Sequence, residues 1–287
     1  MHHKNATQGA ESAMDAIKEY LSAGQLQQAI DHCQNVLREK PGASDLRACL
    51  VELLCLAGEL QRADDVLGHL AKHHSDWLAG AANLRQLLRA QQSRLALRQG
   101  QLAAEDVVAT PGPALEALLA LHLHLSRGEM DAAGVAAENL EARRTPALFT
   151  LGGDDHSTAV DLRDCDDSLN GYLEGLGTDG RYYLWQWSEI DALHFHPPTS
   201  PVEMIWRRAD IELADGRQGE AFLPATYVDS ESDSQRLGRE TDWRQKAPGL
   251  VTGVGLKLFL LGNEAVTLDG LKQIQRQPAQ ETVDASF

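Results

Sequence analysis

An α+β protein with two unlike halves is what this sequence predicts. α-Helical hairpin repeats occupy residues 1–150, a small antiparallel β-rich, barrel-like domain occupies 151–272, and a mobile polar tail occupies 273–287. Three observations predict it. A seven-residue pattern recurs at a fixed spacing in the first half. The texture then changes from Ala-, Leu- and Gln-rich to Gly-, Asp-, Trp- and Tyr-rich, between Thr145-Pro146 and Gly152-Gly153. The charge is also uneven: residues 1–149 carry 14 Lys and Arg against 18 Asp and Glu, and the remainder carries 12 against 24.

The recurring pattern is Ala23-Gly24-Gln25-Leu26-Gln27-Gln28-Ala29 and Ala57-Gly58-Glu59-Leu60-Gln61-Arg62-Ala63. The offset of 34 residues is the tetratricopeptide (TPR) period. Gly24 and Gly58 suit a left-handed turn that ends one helix, and Ala29 and Ala63 let the next helix lie close. Ile30, Cys33, Val36 and Leu37 continue the first unit as an apolar stripe at helical spacing, and Pro41 stops it. In the second unit His74-Ser75 stands where that proline would be. A degenerate third unit begins at Arg127-Gly128-Glu129 and ends before Pro146. Between them, Leu84–Leu102 reads as one long helix that caps the stack; an uncapped end would favour a homodimer.

The second half reads as short strands at Leu173–Leu176, Tyr182–Trp187, Ile205–Leu213, Gly219–Leu223 and Leu256–Leu261. Thr178-Asp179-Gly180 and Ala214-Asp215-Gly216 supply the hairpin turns. Gly249–Gly255 lacks the lysine of a phosphate-binding loop and reads as a flexible lead-in to the last strand.

A formal charge of −16 repels phosphate backbones and anionic lipid, which excludes nucleic acid and membrane surfaces as natural partners. No apolar run approaches the roughly 18 residues of a bilayer span, and Met1–Asn5 lacks a signal-peptide core. Cys33, Cys49, Cys55 and Cys165 form no CxxC pair and read as reduced thiols, so a cytoplasmic location is expected.

Candidate chemistry is sparse. There is no GxSxG, no P-loop and no GxGxxG set between a strand and a helix. The densest acidic run is Arg163-Asp164-Cys165-Asp166-Asp167. Its carboxylates would serve a metal- or carboxylate-dependent hydrolase if His194 or His196 joined Asp164, Asp166 or Asp167 around a pocket. The alternative is a turn built from carboxylates, because the run lacks the ligand ladder of an EF-hand. His194-x-His196 lacks a third ligand at metal spacing. Trp185, Trp187, Trp206 and Trp243 all fall in the second half, where they serve either a β core or a binding surface.

Three blocks follow that acidic run: Gly171-Tyr172-Leu173-Glu174-Gly175, Ile205-Trp206-Arg207-Arg208-Ala209 and Arg236-Leu237-Gly238-Arg239-Glu240-Thr241-Asp242-Trp243. Leu223-Pro224-Ala225-Thr226-Tyr227 lies between the last two. In this order they resemble the ImpE (SciE, TagJ) family of type VI secretion accessory proteins, over most of residues 160–270. The resemblance implies a non-enzymatic role without cofactors. It also implies binding of the small sheath subunit through a short helical segment, and a link to the AAA+ ATPase that recycles contracted sheath. The family motif falls on Asp166, Asp167, Trp206, Arg239, Thr241, Asp242 and Trp243. With Trp185, Tyr227 and Arg236, these are the candidate partner-binding or scaffold residues. Arg239 and Asp242 are expected to pair with one another, or with Asp166 and Asp167.

Overall fold

The computed structural model describes residues 2–101, 107–152 and 158–277, with side chains from residue 11 onward. Helices α1 (His2–Ser22), α2 (Leu26–Glu39), α3 (Ser44–Leu56), α4 (Leu60–His73), α5 (Leu78–Arg98), α6 (Pro113–Arg127) and α7 (Met130–Ala142) stack in sequence. Four of them, α1, α3, α5 and α6, end the same way. A glycine at φ +64 to +75 (Gly24, Gly58, Gly100, Gly128) donates its N–H three residues back, and the next residue donates five back. This is the Schellman closure, and only glycine adopts that backbone without strain. The turn glycines read from the 34-residue repeat are therefore at their expected places.

The helices differ in how they are buried, and the difference locates the second half. Helix α2 buries one stripe, Leu26, Ala29, Ile30, Cys33 and Leu37. Helix α3 buries almost its whole circumference, including Leu46, Cys49, Leu50, Val51, Leu53 and Leu54. A stripe needs one partner layer, whereas burial all round needs two. The second layer on α3 is the β-rich half: the Glu52 carboxylate accepts the Val202 N–H at 3.0 Å. Helix α5 lies against strands β4 (Tyr172–Gly177) and β5 (Tyr182–Gln186). It is thus an internal strut between the repeats and the sheet, in place of the terminal cap expected from Leu84–Leu102; Leu102 lies outside the described residues.

The remaining strands are β1 (Val107–Val108), β2 (Leu148–Leu151), β3 (Val160–Asp164), β6 (Ile190–Phe195), β7 (Trp206–Leu213), β8 (Gln218–Pro224), β9 (Thr241–Ala247), β10 (Leu250–Gly255), β11 (Phe259–Leu261), β12 (Glu264–Val266) and β13 (Gln273–Arg276). Eleven of the thirteen form one sheet in the order β1-β5-β4-β8-β7-β6-β13-β2-β3-β11-β12, and β9 pairs with β10 separately. Among the described strand pairs only β1–β5 is parallel. The sheet curls: Trp187, just after β5 near one end of that order, lies edge-on to Phe259 of β11 near the other end, 5.7 Å between rings. Phe149, Leu162, Leu193, Leu223 and Ile274 fill the inside. Two short helices, α8 (Asp233–Arg236) and α9 (Leu268–Leu271), sit in the connections.

Three expectations change. The tail does not begin at 273, because Gln273–Arg276 is an inner strand paired on both sides, with β6 and with β2. Its Ile274 faces the core at 0% exposure, which a polar window average conceals; residues 278–287 lie outside the described residues. The boundary near 150 does not separate two cores. β1 and β2 precede it yet belong to the sheet, and one hydrophobic cluster runs from Ile17, Leu53 and Leu118 into Tyr172, Leu184, Trp206 and Leu250. Gly249–Gly255 is no flexible lead-in but a turn and strand β10. A Cβ on Gly253 would lie 2.3 Å from the Tyr227 ring, and one on Gly255 would lie 1.9 Å from the Glu240 carbonyl oxygen. Those glycines mark close approach.

The segment between β8 and β9 clips onto the first hairpin. Asp233 Oδ2 accepts the Gln27 N–H at the start of α2 (3.0 Å), and Arg239 Nη2 donates to the Leu21 carbonyl at the end of α1 (2.5 Å). An anion at a helix N-terminus and a cation at a C-terminus are both favoured by the aligned peptide dipoles. Arg239→Ala is therefore expected to lower the unfolding free energy by about 1–2 kcal/mol, as for a partly exposed charged hydrogen bond. Urea denaturation checks this, and an unchanged midpoint would mean the clip is idle.

Candidate functional site

The sites predicted from sequence gather around one buried ionic cluster and one exposed strand. At the end of β3, Asp164 Oδ2 receives Lys257 Nζ (2.9 Å), while Oδ1 accepts the Asp166 N–H (2.9 Å) and the Tyr227 hydroxyl (3.1 Å). In β4, Glu174 accepts Arg94 Nε (2.8 Å), Arg94 Nη2 (2.9 Å), the Tyr182 hydroxyl (2.7 Å) and Lys257 Nζ (2.7 Å). Arg94 also donates to the Thr226 carbonyl at 2.9 Å. The chain Arg94–Glu174–Lys257–Asp164 alternates in charge and sums to zero, and each side chain is at most 5% exposed.

Isolated charges at this depth would be prohibitively costly, so the alternation is a condition of folding. Burial pushes the Asp164 carboxyl up to about 6, against the pull of Lys257. Burial also opposes ionisation of Glu174, but Arg94 and Lys257 outweigh it and hold that carboxyl well below the usual range. Burial opposes charge on Lys257 too, and the two carboxylates reverse this and raise it.

Asp166 and Asp167 do different work from the hydrolase reading. Asp166 accepts the Ser168 N–H and hydroxyl and the Gly253 N–H. Asp167 accepts the Val251 N–H at 2.8 Å and Arg163 Nη2 at 3.0 Å, and its own N–H donates to the Val251 carbonyl. The acidic run is a turn whose carboxylates complete the free edge of β10. His194 lies on β6 and His196 just beyond its end, where His196 Nε2 meets Asp210 Oδ2 at 2.9 Å. None of the partners found for Asp164, Asp166 or Asp167 is a histidine, so the convergence that a hydrolase requires is not formed. Among the described residues, no group of three His, Cys, Asp or Glu has metal-binding geometry.

The other candidates divide by burial. Trp206 is 2% exposed and joins the helix-side core. Trp185 stacks on Tyr183 (5.0 Å between rings) over Gly175, where a Cβ would come within 2.2 Å of the indole. With Ile211, Leu213 and Arg217 it lines a cavity of about 260 Å³. Tyr227 is buried, with its hydroxyl 3.1 Å from both Asp164 Oδ1 and the Leu258 carbonyl oxygen and accepting the Leu258 N–H at 3.2 Å. Thr241 Oγ1 donates to the Leu256 carbonyl at 2.8 Å. Arg236, at the end of α8, is half-buried. The expected Arg239–Asp242 pairing does not form, because Arg239 reaches α1 and Asp242 accepts the adjacent Trp243 N–H (2.8 Å). Trp243 is 39% exposed and meets Tyr227 edge-on at 5.9 Å.

Sequence reasoning passed over Arg94, Glu174 and Lys257 as site residues. The available signal was a lone charge inside an apolar strand pattern, Leu173-Glu174-Gly175-Leu176 and Leu256-Lys257-Leu258-Phe259. Lys257→Met leaves buried Asp164 without a cation and Glu174 with Arg94 alone, so a loss of about 3–5 kcal/mol is expected in chemical denaturation. Adding Asp164→Asn to Lys257→Met should recover part of it, and a strictly additive double variant would count against the cluster.

A second prediction concerns His122, buried on α6. Burial, and then the neighbouring Arg98, push its imidazole down to about 3. The unfolded value is about 6.5, so the folded pKa is depressed. Its contribution to stability is full above pH 6.5 and is lost as the pH falls from there toward 3. Stability should decline by up to about 1.4 kcal/mol per pH unit in that window on account of this group. His122→Leu should flatten that part of the profile; identical slopes would refute the assignment.

Comparison with known proteins agrees with this architecture. A protein-family model described as ImpE protein matches residues 156–275, and one described as tetratricopeptide repeat matches residues 20–88. The type VI secretion system accessory component TagJ of Pseudomonas aeruginosa is 29% identical over 265 residues, covering 91% of each chain. The crystal structure of protein VPA1032 from Vibrio parahaemolyticus is similar at a TM-score of 0.86 and 35% identity, over 92% of this chain and 98% of that one. Among the described residues no helix is long and apolar enough to cross a membrane. The buried cluster, the repeats and the block around Trp243 thus belong to one scaffold, and the chain is a member of the ImpE/TagJ family of type VI secretion accessory proteins.

Proposed function

We propose that the chain is a non-catalytic cytoplasmic adaptor that docks the small subunit of the contractile sheath through a short helical segment of that subunit, and so links it to the AAA+ ATPase that recycles sheath. The observation that carries this reading is the whole-length similarity to a type VI accessory component, in a chain built on helical hairpins. Helical-hairpin stacks bind peptides by their side-chain surfaces and need no cofactor. The carboxylates that a hydrolase would use are engaged in holding strands together, which supports an adaptor over an enzyme.

Isothermal titration of the full chain with purified small sheath subunit tests the proposal. Saturable binding that weakens when the subunit's helical segment is deleted is the expected result. Absence of binding to either free subunit or assembled sheath would remove the sheath assignment. A pull-down of the ATPase with and without added sheath subunit then distinguishes a direct link from a bridged one.

A further inference from the structure

The face of the hairpin stack that would ordinarily receive a peptide is taken by the chain itself. Val202, Ile205 and Trp206 are buried in the helix-side core, and Glu52 of α3 holds the Val202 N–H. A partner segment must therefore dock elsewhere. Strand β9 offers a surface. It is the outer strand of its pair, because Asp166 and Asp167 cover the far edge of β10. Trp243 stands on β9 as an exposed aromatic supported from beneath by Tyr227, whose own position is fixed by Asp164 and Leu258. Rigidly backed, partly exposed tryptophan is the commonest kind of interface anchor.

Charge identifies the occupant. Four of the twelve Lys and Arg after residue 149 fall between Arg236 and Lys246, in a half that carries 24 acidic residues. Arg239 is engaged with α1, whereas Arg244 and Lys246 lie half-buried on the strand itself, with Asp242 engaged by the Trp243 N–H. Arg244 meets the exposed Glu231 at 3.5 Å, and the other acid near Arg244 and Lys246, Asp229, is already bonded to Arg98. Alternation along β9 puts Trp243 on one face and Arg244 and Lys246 on the other, so a segment along this edge meets an aromatic ring on one side and cations on the other. Main-chain pairing is blocked at Trp243, whose N–H is held by Asp242. The partner is thus read by side chains. We infer that the β9 edge around Trp243, Arg244 and Lys246 docks a short acidic amphipathic segment of a protein partner, its apolar side chains on the indole and its carboxylates toward the cations.

This rests on the adaptor reading, and the test separates the two. Purified small sheath subunit is titrated into the full-length wild type, Trp243→Ala and the double variant Arg244→Glu/Lys246→Glu, with thermal melts of each. The expected result is binding weakened about tenfold or more in both variants at unchanged melting temperature. Wild-type binding should also fall with added salt, and that dependence should shrink in the double variant. If Trp243→Ala proves unstable, the double variant decides alone. Wild-type binding retained equally by the folded variants overturns this inference and leaves the adaptor reading standing. Failure of the wild type to bind removes both.

Discussion

Four buried charges hold this molecule in one piece. Arg94 comes from helix α5, Glu174 and Asp164 from two strands, and Lys257 from the loop leading into a third. Each ion pair joins residues 80 or more positions apart, and none of the four is tolerable at that depth without a partner. Helices and sheet must therefore be docked correctly before Arg94 is satisfied and the cluster is neutral. Apolar packing alone would permit sliding of the helical layer over the sheet. The bidentate Arg94–Glu174 pair fixes the register, because both nitrogens must meet both oxygens.

The acidic run after β3 extends the same logic. Asp164 turns inward to the cluster, while Asp166 and Asp167 turn to β10 and accept the N–H groups that a neighbouring strand would have taken. A segment that reads as a metal loop is thus a strand substitute made from carboxylates. Tyr227 couples the two functions. Its hydroxyl is bonded to Asp164, and its ring lies between Gly253 and Trp243. The exposed indole rests, through one tyrosine, on the buried cluster, and this gives a surface residue the rigidity of a core position.

Filling the inner face of the hairpin stack with the protein's own β-rich half also changes what the repeats are for. In open stacks the inner helices present a groove; here α3 is buried all round and α5 carries the arginines that enter the sheet. The repeats become a clamp for the β-rich half, closed at the first hairpin by Asp233 and Arg239.

The sequence by itself determined the local elements: glycine-closed helix ends at a 34-residue spacing, the paired strands around Gly180 and Gly216, and the block that marks the family. These follow from backbone geometry and side-chain periodicity, which act over a few residues. Tertiary structure alone decided the rest. It showed that Gln273–Arg276 is an inner strand although its composition is polar, because only Ile274 faces inward. It showed that one motif divides between a clip, Arg239, and an exposed aromatic, Trp243. It also showed that Glu174 and Lys257 meet two arms of one neutral cluster. Such pairings join residues 80 or more positions apart, and no local propensity encodes which distant charge will neutralise which.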